Sequence, residues 1–91
     1  MPFFARVLKF PAVDPHRLEV RPAHRAFVAD CVARGEIVMS GPFVGDEGAL
    51  MVFEVADRAA VEALIAQDPY TTEGVAIDAE LHEWTVTTPR P

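Results

Sequence analysis

The chain has a single cysteine, Cys31, in 91 residues, so an intrachain disulfide is excluded. Positive charge is also scarce. Eight Lys and Arg stand against 14 Asp and Glu, giving a formal net charge of −6. Nucleic-acid phosphates need a basic face, and this balance argues against such a partner. No apolar run approaches the roughly 18 residues of a membrane span. The N-terminus lacks a cationic region followed by an apolar core and a small-residue cleavage site. No signal peptide is expected, and the chain reads as cytoplasmic. A Gly-rich phosphate loop, a Gly-x-Ser-x-Gly elbow and a Cys-x-x-Cys pair are missing, and no cofactor is expected. His16, His24 and His82 are too scattered for a metal-ligand spacing, so no metal is expected either. Apolar residues, in contrast, make up 51% of the chain. That is enough to pack one domain, residues 1–91.

The apolar pattern divides this domain. Pro2 to Phe10 predicts a strand, with Phe3, Ala5 and Val7 on one face and Phe4, Leu8 and Phe10 on the other, Arg6 among them. Two apolar faces predict a central strand. Pro11 ends it, and Asp14-Pro15 predicts a turn, with at most one helical turn through Val20. Pro22 suits the first position of a helix, where its missing N–H costs nothing. The predicted helix 22–34 stops at Gly35. A short strand over 36–40 is broken by Gly41-Pro42-Phe43, and residues 45–48 form a turn. Residues 49–55 predict a second central strand, with Met51, Phe53 and Val55 opposite Leu50 and Val52. Asp57 caps a helix over 57–67 that Pro69 ends. Residues 71–74 connect it to a last strand over 75–86, and 87–91 form a tail.

The order βαββαβ predicts an α+β, ferredoxin-like fold. Its four-stranded antiparallel sheet would run 4-1-3-2, with both helices on one face. The helix-free face would still carry Phe, Met and Val side chains. A large uncovered apolar patch is costly, so a homodimer through the helix-free sheet faces is expected.

Two polar residues stand out on the helices. At 100° per residue, Phe27, Val28, Cys31 and Val32 form one arc, and His24 falls at its centre. Asp68 lies seven residues after Val61 and continues the stripe of the second helix. Antiparallel helices would bring both to one end of the sheet, with Gly41-Pro42-Phe43 and Tyr70 nearby. A carboxylate beside an imidazole fixes its tautomer and lets the free nitrogen move a proton near neutral pH. Tyr70 could add a hydrogen bond, and Arg21 a positive charge for an anionic substrate. From spacing alone, a buried His–Asp pair or a helix-end interaction with no chemistry is the commoner explanation. Elsewhere Cys31 reads as core, Asp78, Glu80 and Glu83 as a solvated acidic edge, and Trp84 as a packing or interface residue.

Arg21-Pro22-Ala23-His24, Gly41-Pro42-Phe43, Asp68-Pro69-Tyr70 and the closing Gly74-Val75 together resemble the YciI-like (YCII-related) family over nearly the whole chain. The resemblance implies a ferredoxin-like fold, a dimeric α/β barrel and an active site centred on a histidine and an aspartate, which carry over to His24 and Asp68. A small-molecule enzyme of proton-transfer, elimination or isomerisation type is the first reading. The runner-up is a non-catalytic dimeric module that binds a small ligand or regulates a partner protein. On the first reading Arg21, Gly41, Pro42, Phe43 and Tyr70 are expected to bind the substrate.

Overall fold

The chain folds around an antiparallel sheet of four strands, ordered β2-β3-β1-β4 in the computed structural model. The structure describes residues 1–11 and 14–88, without the side chains of residues 78 and 79. Its elements are β1 (Phe3–Lys9), α1 (Pro15–Ala33), β2 (Ile37–Pro42), β3 (Gly48–Glu54), α2 (Arg58–Gln67), α3 (Pro69–Thr72) and β4 (Ile77–Trp84). The order of strands and the central place of β1 and β3 agree with the apolar pattern. The end of the expected tail, 89–91, and the Asp78 side chain expected at the acidic edge lie outside the described residues.

Alternation along β1 sends Phe4, Arg6 and Leu8 inward, all fully buried. Their partners Phe53, Met51 and Ala49 on β3 share that face and are buried too. The helices close over this face, adding Val20 and Cys31 from α1, Val61 and Leu64 from α2, and Tyr70 from α3. Burial pushes the Cys31 thiol above its usual range, as suits a core side chain rather than a nucleophile. The opposite face pairs Ala5 with Val52 and Val7 with Leu50, and pairs Phe3 with Trp84. No helix among the described residues is long and apolar enough to cross a membrane.

Four expectations need correction. The first helix does not begin at Pro22. It begins at Pro15, because Asp14 caps it by accepting from the His16 N–H and Pro15 takes the first turn. Pro22 is thus interior, and the bond it cannot donate would have gone to Leu18, which is exposed and can turn its carbonyl to water. Val32 leaves the apolar arc: it is about half exposed, whereas Phe27 and Val28 are partly buried against the core. The second strand is not broken at Gly41. It runs through Pro42, paired with Ala49, which a proline tolerates on an edge strand. Residues 69–72 are a short helix rather than a connection, because Asp68 caps them as Asp14 caps α1.

The turn between β2 and β3 brings backbone onto backbone. A Cβ added at Gly48 would lie 2.2 Å from the carbonyl oxygen of Leu8. Gly48→Ala must therefore separate β1 from β3 locally. It is expected to lower the unfolding free energy by about 1–3 kcal/mol. An unchanged urea midpoint would show that the strands yield without cost.

Candidate active site

Arg6 is a fully buried charge on the inward face of β1. Its Nη1 donates to Asp68 Oδ2 at 2.8 Å, and its Nη2 to Thr71 Oγ1 at 3.0 Å. Neither Arg6 nor Asp68 retains any exposed side-chain surface. Asp68 ends α2 and caps α3. Its extended backbone suits the residue before Pro69, and its Oδ1 accepts from the Tyr70 N–H at 2.9 Å.

The same Oδ1 lies 2.7 Å from His24 Nδ1. An ionised carboxylate only accepts, so Nδ1 carries the proton and donates. Nε2 is left on the far side of the ring. Tyr70 stacks on the imidazole, with centroids 3.8 Å apart and planes 3° from parallel. Phe10 meets Tyr70 edge-on at 5.6 Å. The ring is therefore held from its face and from one nitrogen.

Burial alone would raise the Asp68 pKa. The hydrogen bond and charge of His24, the Tyr70 amide and Arg6 outweigh it and hold the carboxyl below its usual range.

His24 opens onto a cavity of about 580 Å³ between α1, β2, the β2–β3 turn and α3. Arg21, Gly41, Pro42, Phe43 and Tyr70 all line it with His24, and Asp68 stands behind the imidazole instead. His24 sits mid-helix rather than at a helix start, a consequence of the longer α1. His16 and His82 are elsewhere, bonded to the Glu73 carbonyl and to Glu80. No cluster of three or more His, Cys, Asp or Glu that could hold a metal occurs among the described residues.

Arg6, Arg17, Arg25 and Asp46 were not singled out from the sequence. Arg17 lines the cavity with its guanidinium 4.5 Å from the Phe10 ring centre. Its Nη2 donates to Asp46 Oδ2 at 2.6 Å and its Nη1 to Oδ1 at 3.3 Å. This pair raises the Arg17 pKa and lowers that of Asp46. Arg25 lines the cavity one turn beyond Arg21. A signal for Arg6 was present: it is a lone charge on the inward face of an apolar strand. The Arg17-Arg21-Arg25 spacing could be seen only with α1 at its full length.

The YCII-related domain matches residues 1–85. The chain belongs to the YCII-related family. Among solved structures, this YCII-related chain is similar to 5-chloro-2-hydroxyhydroquinone dehydrochlorinase (TftG) from Burkholderia phenoliruptrix AC1100, in complex with 2,5-dihydroxybenzoquinone. The TM-score is 0.76 at 21% identity, covering 93% of this chain and 94% of that one. That likeness is one of fold. No curated protein matches the sequence.

The buried pair gives the YCII-related core an acid limit. The folded pKa of Asp68 lies below the unfolded value, so its stabilisation is present above about pH 4 and is lost as the pH falls through the folded pKa. Asp68→Asn would take a charged partner from the buried Arg6 and from His24, at a cost of about 3–5 kcal/mol at neutral pH. Its unfolding free energy should also depend less on pH below 4. Arg6→Met combined with Asp68→Asn should recover part of the loss. Urea unfolding from pH 2 to 7 measures all three, and equal slopes below pH 4 in the wild type and Asp68→Asn would count against the assignment.

Proposed function

We propose that this chain is a small-molecule enzyme in which His24 Nε2 moves a proton and Asp68 orients and electrostatically supports the ring. The 2.7 Å contact between His24 Nδ1 and Asp68, on an imidazole that faces a cavity, carries this reading. Arg6 already answers the Asp68 charge. The carboxylate can therefore accept from a neutral imidazole, whose Nε2 lone pair is free to act as a base.

In an elimination, Nε2 takes a proton from a substrate carbon. The C–H electron pair becomes the new π bond, and the leaving group departs with its own pair. The Nδ1–H···Asp68 bond strengthens as the ring turns cationic. An isomerisation returns the proton to a second carbon instead. A purely ligand-binding module could use the same cavity, but it has no need of a buried Arg6-Asp68-His24 chain. The dehydrochlorinase of similar fold makes elimination the first reaction to test. Arg21, Gly41, Pro42, Phe43 and Tyr70 form the binding walls.

The assay follows chloride release from 5-chloro-2-hydroxyhydroquinone, and product formation from a panel of small hydroxyquinones and enolisable carboxylates. His24→Ala should keep its fold and lose about 10²–10⁴-fold in turnover. A folded His24→Ala with normal turnover would refute the base. Asp68→Asn is the poorer test, because it also removes a charged partner of the buried Arg6.

The helix-free face supports a second part of the proposal, a face-to-face homodimer. Phe3, Ala5, Val7 and Leu50 lie there half-covered, and Met39 and Trp84 are exposed. Burying them stabilises by about 25 cal/mol per Å². Sedimentation should show a dimer for the wild type and a monomer for Val7→Lys, which places a charge at the centre of the patch. A wild type that stays monomeric at tens of micromolar would overturn the dimer.

A further inference from the structure

We propose that Arg17, flanked by Arg21 and Arg25, is the subsite for an anionic oxygen group of a small organic ligand, and that Asp46 occupies this subsite until the ligand displaces it. The proposal rests on reading the cavity as the substrate site and names the class of molecule it takes.

Charge is the first ground. The chain carries a formal net charge of −6. Yet three of its eight basic residues line this one cavity, against a single carboxylate, Asp46. The remaining walls are largely apolar: Phe10, Val28, Pro42, Phe43, Ala49 and Tyr70. Cationic groups on an apolar cavity fit an anion with an apolar body, such as an aromatic carboxylate or a phenolate.

Arg17 is the second ground. It is about nine-tenths buried, and its Nε–H has no acceptor among the described residues. A buried donor left unpaired costs free energy, so the guanidinium is incompletely satisfied. Asp46 takes only the end of the fork, through Nη1 and Nη2. A ligand carboxylate on the side edge would use Nε–H together with Nη2, the nitrogen that Asp46 holds at 2.6 Å, so the two carboxylates compete for one guanidinium.

The third ground is where Asp46 sits. It lies at the tip of the β2–β3 turn, with its side chain half exposed. Its backbone is left-handed, at φ 58°, next to Gly45 at φ 95°. An exposed carboxylate on a turn can give up a partner to water at little cost. Asp46 thus holds, from an exposed turn, the Arg17 Nη2 that an entering anion would need.

The test is calorimetric titration of benzoate into the full chain, with benzamide as its neutral isostere. Asn tolerates a left-handed backbone as well as Asp does, so Asp46→Asn removes charge without straining the turn. Asp46→Asn should bind benzoate about 3–10-fold more tightly than the wild type, and Arg17→Met about 10-fold or more less tightly. Benzamide should bind weakly to all three. Should Arg17→Met fail to fold, the exposed Asp46→Asn still decides. Unchanged or weaker benzoate binding by Asp46→Asn overturns the proposal. So does benzamide binding as well as benzoate, or no benzoate binding by either wild type or Asp46→Asn at millimolar concentration. These outcomes are independent of His24. Loss of turnover in His24→Ala without benzoate binding would leave the base standing and remove the subsite. Benzoate bound on Arg17 with full turnover in His24→Ala would do the reverse.

Discussion

A guanidinium and a carboxylate taken wholly out of water impose the main constraint on this fold. Desolvating each costs several kcal/mol, and only close, well-directed contacts recover it. Arg6 and Asp68 meet that demand by recruiting three elements. β1 carries the guanidinium, α3 offers Thr71 and the Tyr70 amide, and α1 offers His24. Each contact fixes a position: the depth of β1, the start of α3 and the rotation of α1 about its axis. An apolar pair could fill the same space with less penalty. It would not specify which ring atom of His24 faces inward.

That specification links the fold to its chemistry. Arg6 and the His24 ring hold the Asp68 carboxylate from two sides, one on each oxygen. Stacking on Tyr70 holds the ring plane, so the Nε2 lone pair has a fixed direction. Orientation of this kind is what a proton transfer needs before any substrate arrives.

Much of this was legible in the residues, for identifiable reasons. Strands β1 and β3 have two apolar faces, and that alone placed them in the centre. Asp57 and Pro69 bracket α2 closely. His24 and Asp68 both interrupt apolar stripes, which is why the sequence directs attention to them together. Arg6 interrupts a stripe too, but its partner is 62 residues away, and no local pattern encodes that distance. The start of α1 was hidden by a competition between two prolines. Pro15 and Pro22 both fit a first turn, and the preference of Pro for that position favoured the wrong one. What decides is the residue before: Asp14 can cap, whereas Arg21 cannot. Once α1 was read short, Arg17 fell in a turn and its spacing to Arg21 and Arg25 was lost.

The longer helix runs against helix energetics. Arg17 lies in the first turns of α1, where the macrodipole is positive and a cation is unfavourable. Arg17-Arg21 and Arg21-Arg25 are like charges four residues apart, each pair costing roughly 0.2–0.5 kcal/mol on an isolated helix. No acidic residue occupies the first turn to offset them. Pro22 adds the loss of a backbone bond inside the same segment. Dipole and pair terms favour other residues here, although arginine itself has high helix propensity. Arg17 pairs directly with Asp46, which Arg21 also feels through its charge, and that carboxylate comes from an exposed turn rather than from the helix. These local rules are broken together on the wall of the cavity that His24 faces, where the anion subsite proposed for Arg17 lies.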